Sequence, residues 1–245
     1  LLLTVLKADS EALMGGAADV VEQWPFPSRH RNIDPTDLLG NRVRPEVRTA
    51  GKERSTGRTK ATRSLPPGIH QAMKCILFAD VVGYSKLQEE QTPFFMYEVL
   101  HSISDGVAQL GRPPEILNTW GDALFAIYES SEDLVRLAEL LQGIFLGTDW
   151  VGKGLPKSLN IRIALHAGPV FIADDPVQKQ ANGYGSHINR TARIEPMTLP
   201  GCIYASSQFA ALLKIETGES YGYEYVGRLE LPKNAGLQDV YHIRC

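Results

Sequence analysis

The sequence predicts an α+β sandwich in which a mainly antiparallel sheet carries helices on one face. Three observations predict it. The apolar run 76–82 reads as a buried strand and leads into a long segment with apolar residues at helical spacing. Residues 115–128, EILNTWGDALFAIY, read as two short strands around a tight turn at Gly121. The chain closes on 223–231 and 238–243, a second hairpin, and strands joined by short returns are antiparallel neighbours.

The elements follow in order. Residues 1–40 mix helical periodicity with a turn-rich WPFPSRHRNIDPTD stretch and are read as a poorly structured N-terminal fragment of unclear fold; Leu1 in place of Met points to a piece of a longer chain. Residues 41–70 are read as a basic flexible linker, because eight Lys and Arg face only Glu46 and Glu53 there and large apolar side chains are scarce. Leu65-Pro-Pro-Gly68 marks its end, and 71–245 is the folded domain. Within it, Ser85 and Gln88 form an S-x-x-Q capping box expected to open a helix over 86–110, with Pro93 as a kink or break. A second helix is expected over 131–145. Next come a strand at 159–166, a turn at 167–169, a strand at 170–173 and a polar loop at 174–184. A short helix at 187–195, a strand at 201–205 and a helix capped by Ser206 and running to Lys214 precede the closing hairpin.

Composition narrows the function classes. A hydrophobic content of 43% and a net charge of −3 are those of a globular protein with no general nucleic-acid signature. No apolar run approaches a membrane span and no secretion signal is present, so a cytoplasmic protein is expected. Cys75, Cys202 and Cys245 are odd in number and lack metal-ligand spacing, which fits reduced thiols.

The informative stretch is KCILFADVVGYS, 74–85. Asp80 is the only polar side chain between Ile76 and Val82, and an ionised carboxylate in an apolar run needs a partner, of which a cation is the best fit. Gly83 and Tyr84 follow it, a glycine turn feeding a helix start whose backbone N–H groups suit phosphate. Asp122 opens the strand after Gly121 as Asp80 ends the strand before Gly83. If those strands are neighbours, the two carboxylates can share divalent ions roughly 3.5–4 Å apart, an arrangement that serves phosphoryl transfer. For either residue alone, capping a turn is the plain alternative. Asn189 and Arg193, four residues apart, share one helix face and together can hold a ribose and a phosphate; a solvated, ion-paired face is the alternative. The side chains of His166 and Tyr84 are read as structural, at a turn around Gly168 and under the first helix.

Four blocks, FADVVGYS (78–85), NTWGDALFAIY (118–128), IRIALHAGPV (161–170) and GYGSHINRTARIEPMTLPGCIYAS (183–206), resemble the core motifs of the class III nucleotidyl cyclase catalytic domain, in family order. The resemblance covers about 70% of the chain, from Met73 to Ile243. It implies a ferredoxin-like, palm-type core that works as a head-to-tail homodimer, with active sites between protomers. It also implies two Mg²⁺ or Mn²⁺ ions per site on Asp80, Asp122 and the Val81 backbone, and phosphate contacts from Gly83, Tyr84 and a lysine of the last hairpin. Lys233 is the nearest such lysine and Arg228 its rival. Asn189 and Arg193 would act on the ribose and the transition state from the other subunit. The base-reading positions are Asn118 and Asn182, where the family commonly has charged or otherwise selective residues. Two amides impose no purine pattern, so ATP follows from the family alone. The implied activity is formation of a 3′,5′-cyclic nucleotide and pyrophosphate from a nucleoside triphosphate, for second-messenger signalling. The alternatives are a UTP or CTP cyclase, of the kind used in anti-phage signalling, and an inactive cyclase-like module that binds nucleotide or only dimerises. Trp120-Gly-Asp-Ala-Leu124 lacks the paired glycines and acids of the GGDEF-type dinucleotide cyclases.

Overall fold

The computed structural model describes residues 2–5, 30–33 and 64–244. The rest of the N-terminal fragment and most of the basic linker, like Cys245, lie outside the described residues. The chain divides into two units, Leu1–Thr62 and Arg63–Cys245. The first contains the parallel strands β1 (Leu2–Val5) and β2 (His30–Ile33).

The second unit is built on β3 (His70–Val82), β4 (Ile116–Trp120), β5 (Ala123–Tyr128), β6 (Asn160–Asp175), β7 (Gln180–Tyr184), β8 (Ile203–Ser206), β9 (Gly222–Glu230) and β10 (Leu237–Arg244). The strand order is β4-β5-β3-β6-β8-β10-β9, with β7 pairing the far end of β6. Every pairing is antiparallel except β6 with β8, so the sheet is mainly antiparallel, as the sequence predicts. Four helices accompany it: α1 (Leu100–Ala108), α2 (Ser131–Gly147), α3 (Ser186–Ile194) and α4 (Ser207–Thr217).

Alternation along β3 divides the core. Cys75, Leu77, Ala79 and Val81 point to one face, where Val99 and Ile103 near α1, Leu134 to Phe145 of α2 and Phe209 of α4 cover them. Ile76 and Phe78 point to the other face, with Phe125, Ile127, Val170 and Ile172, and there Ile188 of α3 packs. Three helices thus cover one face, while α3 lies alone on the opposite one, the face of Asp80.

Three local expectations are corrected. The Ser85–Gln88 box does not open the helix: Tyr84–Lys86 is a single 3₁₀ turn, and the reciprocal cap forms between Gln88 and Gln91. Thr92–Phe94 and a π-helical stretch, Phe95–Val99, then lead into α1, so Pro93 sits at a helix start, where its missing N–H costs nothing. Nor does the chain turn at 167–169. β6 runs unbroken through Gly168 and Pro169, paired to Lys74 and Met73 of β3, and Gly168 is needed because a Cβ there would overlap the His187 ring of α3. The loop expected at 174–184 contains β7, which returns on β6 after the tight turn around Lys179.

Candidate active site

Strand register builds the site. Across β4, β5, β3 and β6, Trp120, Ala123, Asp80 and Arg162 are successive cross-strand partners, and Asn118, Phe125, Phe78 and Ala164 form the next row of the same face. Asp122 precedes Ala123 at the Gly121 turn, which brings its carboxyl to that of Asp80. Burial first, and then the Asp80 charge, hold the Asp122 carboxyl above the usual carboxylate range. The two acids, 42 positions apart in sequence, therefore meet in space, as the glycine turns suggest.

Sequence reasoning missed the side chains that surround them. Arg162 Nη2 lies 2.6 Å from Asp80 Oδ2, and Arg162 Nε lies 2.9 Å from Glu195 Oε1. The second contact is an ion pair but not an aligned hydrogen bond, since Nε and Oε1 are both buried with no hydrogen-bond partner. Burial, ahead of the opposing Arg162 charge, pushes the Glu195 carboxyl up to about 7, and Asp80 and Asp122 push it the same way. The signal was available: Arg162 is a lone charge in the apolar strand IRIAL, as Asp80 is in its own.

Other expected site residues gather apart from the two acids, around α3. Asn189, Ala192, Arg193 and Pro196 line a cavity of about 300 Å³ together with Pro232 and Lys233 from the β9–β10 turn. Lys233 and Asn234 hold left-handed backbone there, with φ of 58° and 53°. Arg228, the rival cation, is paired to Asp239 through Nε and Nη2, both at 3.0 Å. Beneath α3, His166 Nε2 meets His187 Nδ1 at 2.8 Å, and His166 Nδ1 meets Ser206 Oγ at 2.7 Å.

The two amides expected to read the base, Asn118 and Asn182, are both buried. Asn118 Oδ1 accepts from Gln180 Nε2 at 2.9 Å while its Nδ2 is buried and unpartnered. Asn182 Oδ1 accepts from the Gly183 N–H at 2.8 Å. Gln180 has no counterpart in the sequence reading. Trp120, half exposed, stacks on Phe125 at 5.9 Å. Near the acids, Gly83 takes φ 99°, a conformation that favours glycine, and starts the 3₁₀ turn whose first N–H groups have no partner within it. The Tyr84 ring packs on Phe95 at 4.6 Å, the structural role expected of it.

Among the described residues no three His, Cys, Asp or Glu side chains form a metal cage. The donor set is two facing carboxylates, and that fits Mg²⁺ or Mn²⁺, hard cations that are commonly held by one or two carboxylates with substrate phosphates completing the shell. Burial and then the repulsion from Asp80 raise Asp122, and a cation held by the two acids would relieve the second of these. Also among the described residues, no helix is long and apolar enough to cross a membrane.

Comparison with known proteins agrees with this architecture. The family model for the adenylate and guanylate cyclase catalytic domain matches residues 70–244. A receptor-type guanylate cyclase of Caenorhabditis elegans, gcy-28, is 28% identical over 180 residues, which span 69% of this chain and 14% of that protein. A putative serine/threonine-protein kinase/receptor of Acanthamoeba polyphaga mimivirus, R831, is 28% identical over 88 residues, 36% of this chain and 5% of its own length. Among solved structures, the adenylyl cyclase CyaB from P. aeruginosa aligns with a TM-score of 0.61 at 16% identity, covering 72% of this chain and 96% of that one. The guanylate cyclase domain of RhGC from Catenaria anguillulae, solved with GTP, aligns at 0.61 and 15%, covering 72% and 98%. An adenylate cyclase from Trypanosoma brucei aligns at 0.60 and 21%, covering 70% and 87%. At these identities the structures speak for the fold, and the family match speaks for membership: the chain belongs to the adenylate and guanylate cyclase catalytic domain family.

Proposed function

We propose that this domain converts a nucleoside triphosphate, ATP by family precedent, to its 3′,5′-cyclic monophosphate and pyrophosphate, as a cytoplasmic source of second messenger. The observation that carries the reading is the meeting of Asp80 and Asp122 at adjoining glycine turns, on the sheet face that also bears α3. In the reaction the 3′-oxygen bonds to the α-phosphorus, the bond to the bridging oxygen of the β-phosphate breaks, pyrophosphate leaves, and the hydroxyl proton passes to solvent. Two Mg²⁺ or Mn²⁺ ions held by Asp80, Asp122 and the Val81 carbonyl would neutralise the triphosphate and acidify the 3′-hydroxyl. Backbone N–H groups at Gly83 and Tyr84 would orient the phosphates. Asn189 would hold the ribose, and Arg193 would meet charge developing at the α-phosphate, with Lys233 on the same phosphates; their shared cavity supports grouping the three. Two copies, each lending its α3 to the other's acids, make up the homodimer in this reading, and Asn118 and Asn182 would read the base.

A second reading, turnover of UTP or CTP, is favoured by one observation: both base positions are amides, which donate and accept alike. Chromatography of products from ATP, GTP, CTP and UTP in Mn²⁺ decides between them. Asp80→Asn is expected to cut turnover by about 10²-fold or more. Wild-type levels of cyclic product from that variant would end the two-aspartate assignment.

A further inference from the structure

We propose that Arg162 is a positioning residue that exchanges Asp80 for Glu195 when Asp80 and Asp122 take a divalent cation, so that Glu195 sets how readily the cation binds. The proposal rests on the two-aspartate reading above and adds to it a charge relay through two residues outside that assignment.

Register carries the first part of the argument. Arg162 is the cross-strand neighbour of Asp80, so both side chains rise from the same face, and the guanidinium forks between two acids on different elements. Its Nη2 reaches Asp80 Oδ2 at 2.6 Å and its Nε reaches Glu195 Oε1 at 2.9 Å. The Asp80 arm is a made hydrogen bond. The Glu195 arm is not: Nε and Oε1 are buried, adjacent and without a hydrogen bond, so that arm has interaction still to gain from a small rotation of the guanidinium.

Charge carries the second part. Asp80, Asp122 and Glu195 share a single guanidinium, so the acids outnumber the one side-chain cation among them, an excess that a divalent cation offsets. A cation held by the Asp80 carboxylate would compete there with Arg162, since the two positive charges repel. Glu195 is placed to receive the displaced guanidinium without moving: it follows Ile194, which is fully buried at the end of α3, and its own side chain is 15% exposed. The exchange also ties the cation to the helix that carries Asn189 and Arg193, because Glu195 continues that helix into the next 3₁₀ turn.

The test is Mn²⁺ binding to the full chain, followed by loss of the free-ion paramagnetic resonance signal, with Mn²⁺ alone and with inorganic triphosphate. Arg162→Gln is expected to tighten binding at least fivefold, and Glu195→Gln to weaken it at least fivefold. In the Arg162→Gln background, Glu195→Gln is expected to change binding less than twofold, because the relay it serves is gone. Equal Glu195→Gln effects in both backgrounds would show that Glu195 acts only as a fixed charge, and overturn the exchange. An Arg162→Gln protein that binds Mn²⁺ no better than wild type overturns it as well, as does a wild type that binds none. Should Arg162→Gln lose its thermal transition, Arg162→Met takes its place with the same expectations. Cyclic product is scored separately: Mn²⁺ behaviour as expected with no product from any of the four triphosphates leaves the exchange standing and removes the cyclase reading, whereas product with additive Mn²⁺ effects removes the exchange alone.

Discussion

His166 shows what a single side chain contributes when its whole polar inventory is spent inside the protein. It is fully buried, and its two ring nitrogens bond Ser206 and His187. Burial first, then the neighbouring His187 and Arg190, lower its pKa to about 3, so the folded protein holds the ring neutral. The unfolded chain protonates it near 6.5. A depressed folded value means that its contribution is complete above about pH 6.5 and is lost as the pH falls toward 3, by up to about 1.4 kcal/mol per unit. Glu195 runs the other way: its carboxyl is raised to about 7, so its contribution is complete below about pH 4.5 and is lost as the pH rises through 7. Between pH 7.5 and 5 the two slopes oppose each other and largely cancel, so thermal melts of Glu195→Gln, which keeps only the His166 slope, are expected to show a Tm that falls on acidification more steeply than that of wild type. A Glu195→Gln profile no steeper than that of wild type would contradict both assignments. The Lys74 ammonium, only 4% exposed, is another internal polar group: burial alone would lower its pKa, but Glu115 at 2.5 Å and Glu129 at 3.0 Å outweigh that and raise it.

At the scale of elements, the sequence was legible wherever a local signal settles the matter. Ser130 and Ser206 cap α2 and α4 with their own hydroxyls, to Asp133 N–H and Phe209 N–H at 3.2 Å each, and Ser206 was read as a cap directly. The partner that finishes the α2 cap was not legible, because it comes from α4: Glu216 Oε2 accepts from the Ser131 N–H at 3.0 Å and the Ser131 hydroxyl at 2.7 Å, a carboxylate on the positive end of a helix. The same distinction explains the misread turn at Gly168-Pro169. Locally that pair is turn chemistry; in the fold, proline's missing N–H is tolerated within β6 and glycine makes room for a ring from a helix 18 residues further on. Gly168→Ala is accordingly expected to cost about 1–3 kcal/mol, read as a lower Tm, and to depress turnover by shifting α3. Wild-type stability together with wild-type turnover would mean that α3 does not depend on that close approach. Arg162, Glu195 and Gln180 escaped notice for the same reason, since each is defined by a partner at least 33 residues away.

For the molecule as a whole, the mainly antiparallel sheet and the family were legible, the family because four motif blocks fall in order along the chain; the face that α3 takes was not, since helical spacing says which side of a helix is apolar but not which side of the sheet it meets. On that face Trp120, at the end of β4, is left half exposed. If two copies share their sites, Asp80→Asn and Arg193→Ala proteins, each inactive alone, are expected to regain activity when mixed, approaching one quarter of the wild-type level in a statistical mixture of dimers in which half are mixed and each mixed dimer has one intact site of two. Mixed dimers that form and stay inactive would argue for sites complete within one chain. One further consequence follows from β6, whose 16 residues carry Arg162, His166 and Gly168 on alternate positions before reaching β7. Inserting or deleting a single residue between 162 and 168 would swing everything beyond it through half a turn, burying polar groups among the aliphatics on the far side. Evolution and engineering alike should find length changes tolerated at the Asp175–Lys179 bend and forbidden along this rail.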